Sequence, residues 1–361
     1  MDENDFVLHE SFGNNTLTTR AHDSTTKLLD QIKTVNLAGN IIQNLTYSYY
    51  YDGKLLTQKD LLSPVSSGSA KEEQFEYDSL NRLKKWEVFN TWSFQYDYDD
   101  LGNLRAKTVN SYVPQVVESV TNFDLGVNAG PHAITNSSYG NFSYDGIGNQ
   151  ISGSNGDIVY NLYNLPTRIT HLGVSVQLRY DASGNRVVKE SETLLGSGND
   201  TTVYIGNLYE KRSRGEIVRH IFYVFSPSRL VAQIVIEEKD GKASKNIFYI
   251  HDDHLGSTDT ITNDSGEVSE TIKFDQFGNN VDRSNPVNSA SSQLLTSTVH
   301  YGFTGHEHDF EVNLINMKGR IYDPKLQRFL TADLFESQPY FGQSFNRYSY
   351  VLIVYIFFVK S

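Results

Sequence analysis

The chain has 361 residues, no cysteine and a formal net charge of −12. The missing thiol excludes disulfides, zinc–cysteine sites, iron–sulfur ligation and thiol catalysis, and an acidic chain without a basic stripe speaks against a nucleic-acid partner. With 23 Tyr, 20 Phe and 26 Gly but only 8 Pro, the composition suits pleated, tightly turned β-structure rather than a polyproline or mucin-like chain.

The N-terminus, MDENDFVLHESFG, is acidic and carries no apolar stretch of the signal-peptide type. A pattern then begins in RAHDSTTKLLDQIKT, where His22-Asp23 stands in the place that later units fill with Tyr-Asp. The later pairs are Tyr51-Asp52, Tyr77-Asp78, Tyr98-Asp99, Tyr144-Asp145 and Tyr180-Asp181, with Tyr160-Asn161 as a variant. The steps between successive tyrosines are 26, 21, 46, 16 and 20 residues. The step of 46 is about twice the others, so a degenerate unit is expected between Asn110 and Pro131.

One unit can be read physically. The residues before Tyr alternate, as in Phe94-Gln95-Tyr96, which is a strand signal. Asp then opens a turn, because its carboxylate can accept backbone N–H groups two or three residues on. Gly102-Asn103, Gly148-Asn149 and Gly184-Asn185 follow at positions that tolerate a left-handed backbone. A second strand comes next, so each unit is a β-hairpin. One hairpin is unstable alone. A repeated array can bury its surface only against neighbours, and the length prior for two or three domains does not apply to it.

Between Gly196 and Lys245 the Tyr-Asp signal fades while strand-like alternation persists, with turns at Gly215 and Asp240-Gly241; one continuous sheet is expected. Phe274-Asp275 and Gly278-Asn279 repeat the turn logic. The Ser/Asn-rich segment 282–297 reads as a surface loop. Tyr301 to Tyr350 is the densest stretch of Tyr, Phe, Gly and Arg and reads as the specialised end of the array.

These units resemble YD (RHS) repeats, and the C-terminal part resembles the RHS repeat-associated core. Asp253-His254-Leu255-Gly256-Ser257 is similar to that family's DHLGS element, and Phe274 to Gly278 to its YDPFG. Phe303-Thr304-Gly305, the run from Tyr322-Asp323-Pro324 through Arg328 to Asp333, and Asn346 to Val351 resemble further core motifs. The resemblance covers roughly residues 15 to 352 and also reaches the distantly related teneurins. It implies an all-β fold in which YD hairpins stack into a long spiralling sheet, a partial hollow shell over 15–245. A core-like region over 246–352 and a divergent apolar tail over 353–361 follow. It further implies a secreted or cell-surface protein that encloses a toxin, with the rest of a larger shell or a B-type toxin component as partner. The family's DPxG cleavage element does not follow Leu352, and the chain reads as the C-terminal portion of a longer shell without its toxin cargo. Gln327 and Asn313 stand where the family prefers Gly, and His308 where it prefers Arg.

Two chemical readings come with the resemblance. In many members the core is an aspartyl autoprotease, which assigns Asp333 a catalytic role and leaves Arg328 to support it. Aspartyl chemistry needs two carboxylates that share a proton, and Asp333 has no evident partner, so it is expected to be silent. Asp323 lies in a turn context. The teneurin likeness offers a surface module that binds glycans through Tyr and Asp, but recurrence in every unit favours packing and capping. His251 with His254, and the cluster His306 to Asp309, lack a third ligand at metal spacing, so no metal and no cofactor is expected. Nine apolar residues from Val351 to Val359 are too few to span a membrane as a helix.

Overall fold

The computed structural model describes residues 6–350 apart from 65–69, 90, 113–114, 127–128, 155, 194–198, 283–296, 298 and 335–341. The segment 282–297 therefore lies mostly outside the described residues, and the tail 353–361 wholly so. The described chain is built from β-strands and two short 3-10 turns. No helix among the described residues is long and apolar enough to cross a membrane.

The wall is formed by two sheets of 12 and 13 strands, each in strict sequence order. Every neighbouring pair is antiparallel, from His9–Ser11 paired with Leu17–His22 to Thr258–Thr262 paired with Val268–Thr271. The first sheet ends at Gly140–Asn141 and the second begins at Ser143–Tyr144, so the chain passes directly from one to the other. Alternation explains which face is inside. In Leu83–Val88 and Trp92–Tyr98 the side chains of Leu83, Trp86, Val88, Phe94 and Tyr96 are buried together, as expected for strands with one apolar face.

The sheet expected between Gly196 and Lys245 is continuous, and it runs on to Thr271. Residue 245 falls inside the strand Lys242–Asp252, so the sheet itself does not break there. The stretch of doubled spacing holds the hairpin of Leu104–Tyr112 with Gln115–Leu125, followed by a turn closed between Gly126 and Ala133.

The chain beyond Ile272 packs inside this wall. A four-stranded sheet of Glu307–Asp309, Leu314–Asn316, Ile321–Asp323 and Arg328–Phe329 forms its centre. Phe277 joins the apolar cluster of the first sheet. Val312, Leu314, Ile321 and Leu330 join Ile158, Ile169, Val176 and Leu178 of the second. Polar contacts reach still further round. Lys273 pairs with Glu73 at 2.8 Å, Arg328 donates to His132 O at 2.7 Å, and Tyr348 donates to Gly148 O at 2.8 Å. The C-terminal region is thus the filling around which the wall winds.

Candidate functional site

The repeated turn has one geometry. In Asp99-Asp100-Leu101-Gly102-Asn103, the Asp99 N–H donates to Asn103 O and the Gly102 N–H to Asp99 O, both at 3.0 Å. The Asp99 carboxylate accepts from Leu101 N–H at 3.0 Å, Asn103 N–H at 2.8 Å and the Asn103 side-chain amide at 3.0 Å. Asp145, Asp181 and Asp275 do the same with Asn149, Asn185 and Asn279. Asp78 replaces the amide with Arg82 Nε at 2.6 Å. The fourth residue is left-handed each time, at φ 63° for Asn81 and 80°, 91° and 82° for Gly102, Gly148 and Gly184. The carboxylate therefore serves N–H groups two and four residues on.

Tyrosine links one turn to the one before. Tyr77, Tyr98, Tyr160 and Tyr180 donate their hydroxyls to the carbonyls of Leu55, Leu83, Gln150 and Pro166, at 2.8 to 3.0 Å. Tyr144 donates to Ile134 O at 3.0 Å. Each accepting residue sits at a register shift of its own hairpin. Such a bulge interrupts the ladder, and the next unit's tyrosine takes the carbonyl there. Burial raises the phenol pKa of Tyr144 and Tyr180 to about 12.

One unit departs from the sequence register. Tyr51 is fully exposed and Asp52 pairs with Lys54 at 2.6 Å on the surface. The turn instead closes on Tyr50, whose N–H donates to Lys54 O while Gly53 N–H donates to Tyr50 O. Tyr49 then occupies the linking position and donates to Leu29 O at 2.8 Å. The run Tyr49-Tyr50-Tyr51 offers three phenols, and Gly53 decides among them because the left-handed residue must stand three after the turn's first.

In the core, Asp253 caps its turn through Leu255 and Ser257 N–H at 2.8 and 2.9 Å, and Gly256 is left-handed at φ 78°. His254 is buried against the Tyr47 ring at 4.8 Å, with neither ring nitrogen hydrogen-bonded. Burial, with Lys273 nearby, pushes its pKa down to about 3. Tyr322 and Asp323 are fully buried; Asp323 accepts from Lys325 and Leu326 N–H at 2.9 and 3.0 Å.

Asp333 has its side chain 39% exposed and pairs with Arg320 at 2.8 Å rather than with Arg328. The hairpin register decides this. Leu330 N–H donates to Ile321 O, which places Arg320 beside the segment leading to Asp333. Arg320 also donates to Arg347 O at 3.0 Å and lies 3.7 Å over the Phe329 ring. Asp333 N–H donates to Arg347 O at 2.8 Å and Arg347 Nε donates back to Asp333 O. Arg328 is instead buried against the wall near Tyr348. A small cleft lined by Tyr160, Tyr180, Asn316, Lys318, Arg320 and Thr331 borders this site.

The cluster His306 to Asp309 is used for docking. Asp309 receives both terminal nitrogens of Arg186 at 2.8 Å and Lys189 Nζ at 3.1 Å; Glu307 accepts from the Tyr204 hydroxyl at 2.6 Å. Burial opposes ionisation of Asp309, but Arg186 and Lys189 outweigh it and hold the carboxyl far below its ordinary range. Among the described residues, no cluster of three His, Asp or Glu is arranged to hold a metal. The sequence could not reveal the Arg186 and Lys189 partners, which lie more than 100 residues away.

A sequential antiparallel wall coiled round its own C-terminal region, with tyrosine and aspartate recurring at many of its turns, defines a YD-shell. The profile of the teneurin YD-shell family matches residues 3–355, and the chain belongs to that family. It is 24% identical over 265 residues to the tRNA3(Ser)-specific nuclease WapA of Bacillus spizizenii, and 24% identical over 260 residues to the tRNA nuclease WapA of Bacillus subtilis strain 168. Each match covers 71% of this chain and 10% of the relative. The solved TcdB2–TccC3 complex superposes with a TM-score of 0.78 at 17% identity, over 98% of this chain and 19% of that one. The Tc holotoxin pore of Photorhabdus luminescens gives the same TM-score and identity, over 96% and 18%. The chain thus spans about a tenth of the nucleases and a fifth of the toxin chains, and the structural likeness is one of fold.

Proposed function

We propose that this chain is a wall segment of an RHS-type toxin shell, a structural element that encloses a C-terminal toxin in the longer assembly. The observation that carries this reading is the wall wound round the chain's own C-terminal region, in the fold seen in TcdB2–TccC3. On this reading the protein is secreted, and its partner is the remainder of the shell or a B-type component. The six linking tyrosines, Tyr49, Tyr77, Tyr98, Tyr144, Tyr160 and Tyr180, commit their hydroxyls to backbone carbonyls, which favours packing over glycan binding. The test is reconstitution of the purified chain, extended by a protease-sensitive peptide, with the complementary shell component. A stable complex that protects the peptide supports the reading. No complex, or a peptide digested as fast as when free, overturns it.

A second reading rests on Asp333, half-open beside Arg320 and a cleft. If the core retains aspartyl autoproteolysis, intact mass after incubation near neutral and mildly acidic pH will show a discrete C-terminal loss that Asp333→Asn abolishes. An unchanged mass supports the structural role alone.

A further inference from the structure

We propose that the wall has an acid-sensitive seam, where its first hairpins meet its last, and that this seam parts when His251 takes up a proton. Among the described residues no backbone ladder joins the strands before Tyr49 to those after Leu230. Apolar packing links the two ends through Phe277, beyond the last wall strand, which joins the cluster of Leu29, Ile32, Leu45 and Tyr47. Phe12 packs on Tyr249 and His251, and Tyr47 on His254, but between the strands themselves the join is held mainly by polar side chains, nearly all buried.

Asn14 donates to Thr262 Oγ1 and Asn263 O, both at 2.8 Å. Gln43 donates to Asp252 O at 3.0 Å and Asp259 Oδ2 at 2.9 Å, and is itself bonded through Thr34 to Thr18. A closed ring of four charges clasps the edge: Arg20 bridges Glu10 and Asp252, and Arg229 bridges the same two carboxylates. Water can replace hydrogen bonds of this kind at small net cost, whereas it cannot replace apolar packing. The seam is therefore the place where the wall can part without unfolding.

His251 lies at the centre. Its Nε2 is 3.0 Å from Thr262 Oγ1, its Nδ1 3.4 Å from Thr18 Oγ1, and its ring stands 4.6 Å edge-on to Phe12. The charged groups around it are Glu10 and Arg20 from the first hairpin, Arg229 from the turn before Leu230, Asp252 from its own strand, and Asp259 from the strand beyond. Burial above all, then Arg229 and Arg20 against the weaker pull of Glu10, pushes its pKa down to about 3. A parted seam would return the imidazole to water, where it titrates near 6.5. The histidine's contribution to closure is thus full above that value. Each pH unit below it shifts the balance toward parting by up to tenfold, until about pH 3. At pH 5 the shift is about 30-fold. Burial raises the Glu10 pKa, but Arg229 and Arg20 outweigh it and keep the carboxyl below its usual range. Glu10 is therefore held in its charged form by the two guanidinium groups, and the imidazole is the trigger. A shell that parts here would open its interior on the acidic side of neutrality.

The chain has no cysteine, so paired labels are simple to place. Spin labels at Ser11→Cys and Ser265→Cys flank the seam. The inter-label distance should lengthen reversibly between pH 7.5 and 5 while the fluorescence of buried Trp86 is unchanged. His251→Gln, which keeps hydrogen-bonding capacity without titrating, should abolish the change. An unchanged distance, a change that survives in His251→Gln, or a change that coincides with exposure of Trp86 would overturn the proposal. Should His251→Gln fail to fold, the His251 ring resonances of the doubly labelled chain decide. Protonation coincident with the distance change supports the seam, and protonation without it overturns it.

Discussion

The Tyr98 hydroxyl donates to Leu83 O at 3.0 Å while the guanidinium of Arg82 lies 4.6 Å over the Tyr98 ring. Arg82 is fixed by its bond to Asp78 Oδ2 and reaches on to Asp99 O at 3.1 Å. Each tyrosine thus belongs to two turns at once. Tyr98→Phe keeps the packing and removes the hydrogen bond, and should lower stability by about 1 kcal/mol. Tyr51→Phe, on an exposed ring, should change it by no more than about 0.5 kcal/mol. Urea unfolding of the two variants checks this; equal losses would show that the linking position is Tyr51 after all.

Asp309 is buried between Arg186 and Lys189. Asp309→Ala leaves two buried cations without their shared carboxylate and should cost about 3–5 kcal/mol. Replacing Asp309 together with both cations by apolar residues should recover much of that loss. The comparison, by denaturant midpoint, separates the penalty of stranded charge from the worth of the network.

Gln327 has φ 61° and is almost fully buried at the turn between Ile321–Asp323 and Arg328–Phe329. A left-handed backbone costs a residue with a Cβ about 1–2 kcal/mol that glycine does not incur. Gln327→Gly should therefore raise the melting temperature, where Lys325→Gly on the same turn should lower or leave it.

Buried histidines set the response to acid. Phe303 N–H donates to His308 Nε2 at 3.0 Å, so that nitrogen is unprotonated in the fold. Burial outweighs the nearby Asp309 and pushes the His308 pKa down to about 3; His254 is pushed to a similar value. The unfolded imidazole binds its proton near pH 6.5. The histidines' contribution to folding stability is therefore full above that pH and is lost as pH drops from 6.5 toward 3, by up to about 1.4 kcal/mol per pH unit for each such histidine. His254→Asn should flatten the dependence of the urea midpoint on pH between 6.5 and 4.

The hairpins, their turns and the all-β class were legible in the sequence because each unit's information is local. Asp, a left-handed Gly or Asn, and an alternating strand act within about ten residues of one another. The register of the Tyr49-Tyr50-Tyr51 unit was harder, since three phenols compete and only the position of Gly53 separates them. The tertiary structure alone decided which residues meet across the coil. Arg320 rather than Arg328 faces Asp333 because a hairpin register sets opposition, and sequence spacing does not. Arg186 reaches Asp309, and Arg20 and Arg229 clasp Glu10 and Asp252, only because the sheet twists back on itself. That closure sums small rotations over many strands, and no single unit of the sequence carries it.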